Sequence, residues 1–150
     1  MTNNIISTIK TKLGYFSLKS KNNFIISIYP TKNKNLELNS NLHKRFEKDF
    51  NLYINKEIKH IEYQCRPIGT DFQLKVWSEI KKIQYGSTKT YLEIASKINS
   101  SARAVGNACA KNTCLIVIPC HRVICKNGNL GGYIMGKEIK DFLIMLEKNG

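Results

Sequence analysis

A chain of 150 residues, 42% hydrophobic and 23% charged, is long enough for one compact unit or two small lobes around a buried core, with the composition of an ordinary globular protein. Its apolar runs are too short to span a bilayer, Leu115–Ile118 being typical, and Met1–Lys10 lacks the basic start, apolar stretch and small-residue cleavage site of a secretory signal; the expectation is a soluble, cytoplasmic protein with no membrane partner. Twenty-four Lys and Arg against eleven Asp and Glu give a net charge of +13, which attracts polyanions and nucleic acid above all, although AT-rich coding produces the same excess of Lys, Asn and Ile and leaves both origins open.

In chain order, Leu13–Leu18 and Phe24–Tyr29 are β-prone runs separated by Lys-Ser-Lys-Asn-Asn, which predicts a hairpin. Leu42, Phe46 and Phe50 recur every four residues after Asn39 and Ser40, the pattern of a short capped helix. Ile58–Gln64 is expected as a further strand. Gln64-Cys65-Arg66-Pro67 is expected as a linker, since Pro67 holds its predecessor extended.

Beyond Pro67 the pattern turns helical. Thr70 with Gln73 three residues later is a capping-box start, and Phe72, Val76, Ile80 and Ile83 keep one apolar face through Lys82. Gly86-Ser87 breaks that face. Thr90–Ile98 reads as a second helix, Asn99-Ser100 as a turn, and Ser101–Lys111 as a third helix carrying Ala102, Ala104, Gly106 and Ala108. Leu115–Ile118 leads into Pro119-Cys120-His121-Arg122-Val123, and Asn127-Gly128 and Gly131-Gly132 mark loops. Ile139, Phe142, Leu143 and Leu146 form the face of a last helix.

Five cysteines, at 65, 109, 114, 120 and 125, make an odd count with no C-x-x-C pair, which argues against a disulfide framework. The histidines at 43, 60 and 121 have no zinc-ligand spacing with them, so four of the thiols are read as small apolar fillers. Two helices joined by a short turn suggest a helix-turn-helix. The small residues of its second helix allow close approach to DNA or to a neighbouring helix, and Arg103 is either a DNA contact or a solvated charge. Cys120 beside His121 allows a Cys–His nucleophile or a buried cysteine beside a satisfied histidine. In an extended segment the two side chains point to opposite faces, so a direct contact is not expected and a water would have to relay between them.

Taken together, Gly69-Thr70-Asp71-Phe72-Gln73, Val76-Trp77, Arg103-Ala104-Val105-Gly106, Asn112, Pro119-Cys120-His121-Arg122-Val123-Ile124, Gly132-Tyr133 and Lys140 with Glu147 closely resemble, in order and spacing, the O6-alkylguanine-DNA alkyltransferases. The resemblance runs from Pro67 to Lys148; before it, only the coarse strand-and-helix pattern is similar to the family's N-terminal lobe. It implies an α+β fold: a small ribonuclease-H-like α/β lobe over residues 1–66, then a mainly helical domain over 67–150 with a winged helix-turn-helix-like DNA-binding motif.

The resemblance also implies roles. Cys120 is the alkyl acceptor, His121 polarises it through a water, Glu147 supports His121, and Asn112 braces the turn. Tyr133 stands beside the bound base and Tyr91 at the phosphate next to the lesion. Arg103 fills the stack after the nucleotide flips out, a step required because the alkylated oxygen of a stacked guanine cannot meet a buried sulfur. Ala102, Ala104, Gly106, Arg122 and Ile134 complete the DNA- and base-facing set, with the small helix suited to the minor groove. The partner is double-stranded DNA carrying alkylated guanine, with alkylated thymine left open; the protein acts as a monomer, and no metal or organic cofactor is implied.

The sequence departs from the family pattern in a shorter turn at Asn99-Ser100-Ser101, in Gln84 and Thr113 where prolines are usual, and in Ile134-Met135 where a small or hydroxylated residue and a glycine are usual. The alternatives are a helix-turn-helix regulator, a non-enzymatic lesion-binding relative, and a Cys–His hydrolase that turns over repeatedly.

Overall fold

The computed structural model describes residues 3–35 and 37–149. The first strand, β1 (Ile5–Thr11), pairs antiparallel with β2 (Gly14–Lys21), which pairs antiparallel with β3 (Phe24–Pro30). The expected hairpin is β2–β3. Its turn is only Asn22-Asn23, because both residues take a positive φ (53° and 64°), the backbone that a two-residue turn between twisted strands requires; Lys19, Ser20 and Lys21, expected in the loop, belong to β2. The strand β1 was not foreseen. Its turn into β2 is closed by Thr11, whose hydroxyl donates to the Gly14 carbonyl (3.0 Å) and accepts the Leu13 N–H (3.0 Å).

The expected strand at Ile58–Gln64 is not formed. The free edge of β3 is instead shared by two short parallel bridges, Ile25 to Cys65 and Ile28 to Cys114. The Ile25 N–H goes to the Gln64 carbonyl at 3.0 Å and the Ile28 N–H to Thr113 at 2.7 Å, so two segments divide one edge and neither continues along it. The contacts accordingly divide the chain into two units, Met1–Pro67 with Thr113–Val117, and Ile68–Asn112 with Ile118–Gly150. The architecture is α+β.

In the first unit, Ser40 caps α1 (Asn41–Ile54) by accepting the His43 N–H, as the sequence predicts. Phe46 and Phe50 are fully buried, and Phe16 meets Phe50 with ring centroids 5.1 Å apart. His43, also fully buried, lies between two strand serines, its Nδ1 2.6 Å from Ser7 Oγ and its Nε2 2.7 Å from Ser20 Oγ.

In the second unit, Thr70 and Gln73 form the predicted capping box at the start of α2 (Asp71–Lys81), and Thr90 and Glu93 form another at α3 (Tyr91–Lys97). Ser101 caps α4 (Ala102–Ala110), and α5 (Lys137–Lys148) closes the unit. The turn between α3 and α4 relies on Asn99 at φ 54°, a left-handed conformation that asparagine tolerates. A parallel pair, β4 (Lys89–Thr90) with β5 (Val123–Ile124), had no signature in the sequence. Trp77 on α2 is buried, and its indole N–H donates to the Ala108 carbonyl of α4 at 2.9 Å.

Burial holds the His43 pKa down at about 4 against an ordinary 6.5. The unfolded chain therefore takes up a proton below about 6.5 while the folded one does so only near 4. The contribution is complete above 6.5 and is lost as pH falls through that window, reaching about 3 kcal/mol. Denaturant titrations at pH 7 and pH 4.5 should show this acid loss in the parent and a smaller one in His43→Gln; equal losses would mean that other groups govern the acid sensitivity.

Candidate active site

The end of α4 and the segment after it set the position of Cys120. The Asn112 N–H donates to the Cys109 carbonyl (3.1 Å), and its side-chain amide donates to the Ile118 carbonyl (3.0 Å) and to Cys120 Sγ (3.2 Å). One buried asparagine thus holds the helix end, the approach to Pro119 and the sulfur. The predicted extended Cys120-His121 segment is instead a single 3-10 turn, Cys120–Arg122. Pro119 fixes its own φ near −81°, and its carbonyl accepts the Arg122 N–H at 2.9 Å, which curls the chain before β5 begins. In such a turn neighbouring side chains lie about 120° apart rather than on opposite faces. Cys120 is 4% exposed and His121 fully buried.

His121 Nε2 lies 2.8 Å from Glu147 Oε2 on α5. The same carboxylate receives Arg122 Nε on Oε1 (2.8 Å), Arg122 Nη2 on Oε2 (2.9 Å) and the Gly86 N–H on Oε1 (3.3 Å). Burial opposes the Glu147 charge, but the hydrogen bonds from His121 and Arg122 outweigh it and hold its pKa down at about 2. Burial lowers the His121 pKa as well, against the pull of Glu147. The pair therefore rests as a neutral imidazole donating to an ionised carboxylate. His121 Nδ1 is buried and without a hydrogen-bond partner among the described residues. Arg122, expected in the DNA-facing set, directs its guanidinium inward: besides Glu147 it reaches the Ile83 carbonyl at 2.6 Å and lies 5.9 Å from the Tyr85 ring centre.

A second buried charge lies on the same face of α5. Lys140 is fully buried, and its Nζ donates to the Leu130 carbonyl, to the Gly132 carbonyl (3.2 Å) and to Tyr91 Oη (3.2 Å). The Tyr91 hydroxyl, expected at a phosphate, is thus engaged inside the unit, with burial raising its pKa. A Cβ built at Gly106 would sit 4.0 Å from the Tyr91 ring, and one at Gly131 (φ 73°) only 3.0 Å from Tyr91 Oη. The Cys120 pKa stands well above the ordinary thiol value, first through a hydrogen bond with Cys109 and then through burial, against the Asn112 amide and the Lys140 charge. The acceptor candidate rests as a thiol. Burial also raises the Tyr133 pKa, and the Tyr133 hydroxyl is buried without a hydrogen-bond partner among the described residues.

Of the remaining candidates, Arg103 is exposed in the first turn of α4, Ala102, Ala104 and Gly106 are half-buried, and Ile134 is 55% exposed. Asn112 is hydrogen-bonded to Cys120, and His121, Glu147 and Arg122 form a second hydrogen-bonded set adjoining it through the Cys120–Arg122 turn; no hydrogen bond among the described residues joins Arg103 or Ile134 to either set. Lys140 has no role in the sequence reading beyond its place in the motif. A signal for Lys140 was available: with Leu143 and Glu147 it recurs at helical spacing, putting two ionisable residues on the buried face of α5.

Because Arg122 lowers both the Glu147 and the His121 pKa, Arg122→Ala should raise the midpoint at which His121 protonates, as followed by NMR, and destabilise the protein by about 3–5 kcal/mol, the usual cost of breaking a buried ion pair. Arg122→Lys should restore part of the midpoint, returning charge without the two-pronged geometry. An unmoved midpoint in Arg122→Ala would leave Arg122 only a structural brace.

Comparison with known proteins fits this geometry. Residues 71–149 match the family described as 6-O-methylguanine DNA methyltransferase, DNA binding domain. A methylated-DNA–protein-cysteine methyltransferase of Methanosarcina acetivorans is 42% identical over 73% of this chain and 71% of its own. A probable methylated-DNA–protein-cysteine methyltransferase of Acanthamoeba polyphaga mimivirus is 39% identical over 95% of this chain and 96% of its own. The crystal structure of Mycobacterium tuberculosis OGT in complex with DNA superposes with a TM-score of 0.85 at 32% identity, covering 95% of this chain and 91% of that one. With the family match spanning more than half of its length and carrying Asn112, the Cys120 turn and Glu147, the chain belongs to the methylated-DNA–protein-cysteine methyltransferases.

Proposed function

We propose that this protein repairs DNA by moving the alkyl group of an O6-alkylguanine onto Cys120, once per molecule. The observation that carries the reading is a buried Cys120 followed directly by a neutral His121, whose Nδ1 is uncommitted among the described residues and whose Nε2 is held by a Glu147 that Arg122 fixes. Because Cys120 rests as a thiol, its proton has to leave as the reaction proceeds. His121 takes it on Nδ1 through a water, and the imidazolium formed is stabilised by Glu147. The sulfur attacks the alkyl carbon, a C–S bond forms, the C–O6 bond breaks and its electron pair stays on the base, which leaves as guanine once protonated. A thioether is stable to water and to thiols, so the protein is consumed.

The partner is duplex DNA, approached through α3 and α4 as a winged helix-turn-helix, with β4–β5 at the base of the wing. Ala102, Ala104 and Gly106 let α4 approach closely, and Arg103, exposed and unobstructed, fills the stack when the nucleotide flips. Tyr133, with its hydroxyl unengaged, stands beside the extruded base. The first unit fits a ribonuclease-H-like lobe. Residues 67–150 carry the chemistry.

Incubation of the protein with an O6-methylguanine duplex should add one methyl group per molecule, mapped to Cys120, and Cys120→Ala should bind DNA without accepting it. A methyl group on Cys114 or Cys125, or repeated turnover, would refute the assignment.

The loop after Tyr133 sets the range of alkyl groups. Met135 is half-buried while Ile134 points largely to solvent, so Met135 limits the room beside the base. Overpacking by a bulky group costs about 1–3 kcal/mol, roughly ten- to a hundredfold in rate when it falls on the transition state. Benzyl transfer should therefore lag behind methyl transfer in the parent and recover in Met135→Gly. Equal rates in the parent would remove the loop as a filter.

A further inference from the structure

Three residues of α4 face outward. Arg103, Asn107 and Ala110 are exposed, and their spacing along the helix sets them on one line. The opposite side is fixed: Val105 and Ala108 are buried, Trp77 donates to the Ala108 carbonyl at 2.9 Å, and Ser101 Oγ accepts the Ala104 N–H at 3.1 Å. The helix therefore presents that line and no other, with the half-buried Ala102, Ala104 and Gly106 beside it. Ala110 offers only a methyl group, and Arg103 is assigned to the stack. Asn107 is left as the exposed side chain of α4 that can pair with a base edge, and among the described residues no hydrogen bond engages its amide.

We propose, on the reading of α4 as the helix that approaches DNA, that Asn107 reads the minor-groove edge of a base pair beside the lesion, so that repair depends on whether that pair carries a guanine amino group. A helix with ordinary side chains is about 10–12 Å across, whereas the minor groove is about 6 Å wide. The small residues beside Asn107 slim α4 on the side that enters. A carboxamide carries two N–H donors and a carbonyl acceptor, a combination that Arg and Lys lack. At an A·T pair the minor groove offers acceptors alone, which leaves the Asn107 carbonyl without a donor. At a G·C pair the guanine N2 amino group supplies that donor while the amide still finds an acceptor beside it. Four residues advance the helix by about 6 Å and base pairs are about 3.4 Å apart, which puts Asn107 within about two pairs of the position that Arg103 fills.

The test times methyl transfer by the full-length protein on O6-methylguanine duplexes that differ at a single pair, one or two steps to either side of the lesion. That pair is G·C, inosine·C, A·T or 2-aminoadenine·T. Inosine removes the N2 amino group and 2-aminoadenine adds one, with the major-groove edges unchanged. At one of these positions the parent should react about three- to tenfold faster with the amino group than without it, in both kinds of pair, the span of one net hydrogen bond. A stronger flanking pair resists flipping, so duplex stability alone moves the rates the other way. Asn107→Ala, an exposed change to a better helix former, should still methylate Cys120 and lose the difference. A parent indifferent to the amino group at every position, or an Asn107→Ala protein as sensitive as the parent, would overturn the proposal. If no duplex is repaired at all, the proposed function fails, and competition binding of the same duplexes by Cys120→Ala, with and without Asn107→Ala, still decides the role of Asn107.

Discussion

A carboxylate buried at the end of a helix must be met by donors, and in this protein much else follows from how that is done. An uncompensated ion in such a place costs several kcal/mol. Glu147 is met by His121, by two nitrogens of Arg122 and by the Gly86 N–H. These come from the turn that carries the acceptor and from the loop after α2, so one anion docks two segments onto α5. Satisfying the charge also fixes the proton between His121 and Glu147: the imidazole is held neutral, oriented by its Nε2, with Nδ1 uncommitted.

Lys140 makes the complementary case two helical turns earlier. Among the described residues no carboxylate pairs with it, and its charge is shared among two carbonyls and a phenol hydroxyl. Because the carbonyls belong to Leu130 and Gly132, the ammonium organises the chain immediately before Tyr133. The two buried charges of α5 thus divide the labour: one steadies the Cys120–Arg122 turn, the other the approach to Tyr133. Burial depresses the Lys140 pKa while the surrounding thiols oppose that fall, which couples the sulfur chemistry to the same ammonium.

The helices were legible because their ends are written in single residues. Ser40, Thr70, Thr90 and Ser101 each accept an N–H three residues on, and each announces its helix. The strands were less so. Pairing of β1 depends on partners that periodicity does not name, and the edge of β3 is taken by Cys65 and Cys114, which lie far apart in sequence. At the site, the linear motif marked Cys120 and His121 but not the turn they occupy, which is decided by the Pro119 carbonyl. Arg122 looked like a cation facing DNA because a sequence does not display the direction of a guanidinium. Asn112 had no visible partner in the sequence because its reach to Cys120 arises only when α4 ends just before it.

The hydrogen bond from Trp77 to Ala108 has a practical consequence. Trp77 is the sole tryptophan of the chain, and the carbonyl that its indole holds belongs to the residue immediately before Cys109. Indole emission responds to the polarity and hydrogen bonding around the ring, and here the other fluorescent side chains are tyrosines. The protein therefore contains an intrinsic optical probe on α2, hydrogen-bonded to α4, the helix whose end leads to Asn112 and through it to the Cys120 sulfur. Whatever shifts the last turn of α4, whether DNA docking or a change at the sulfur, is reported without a label.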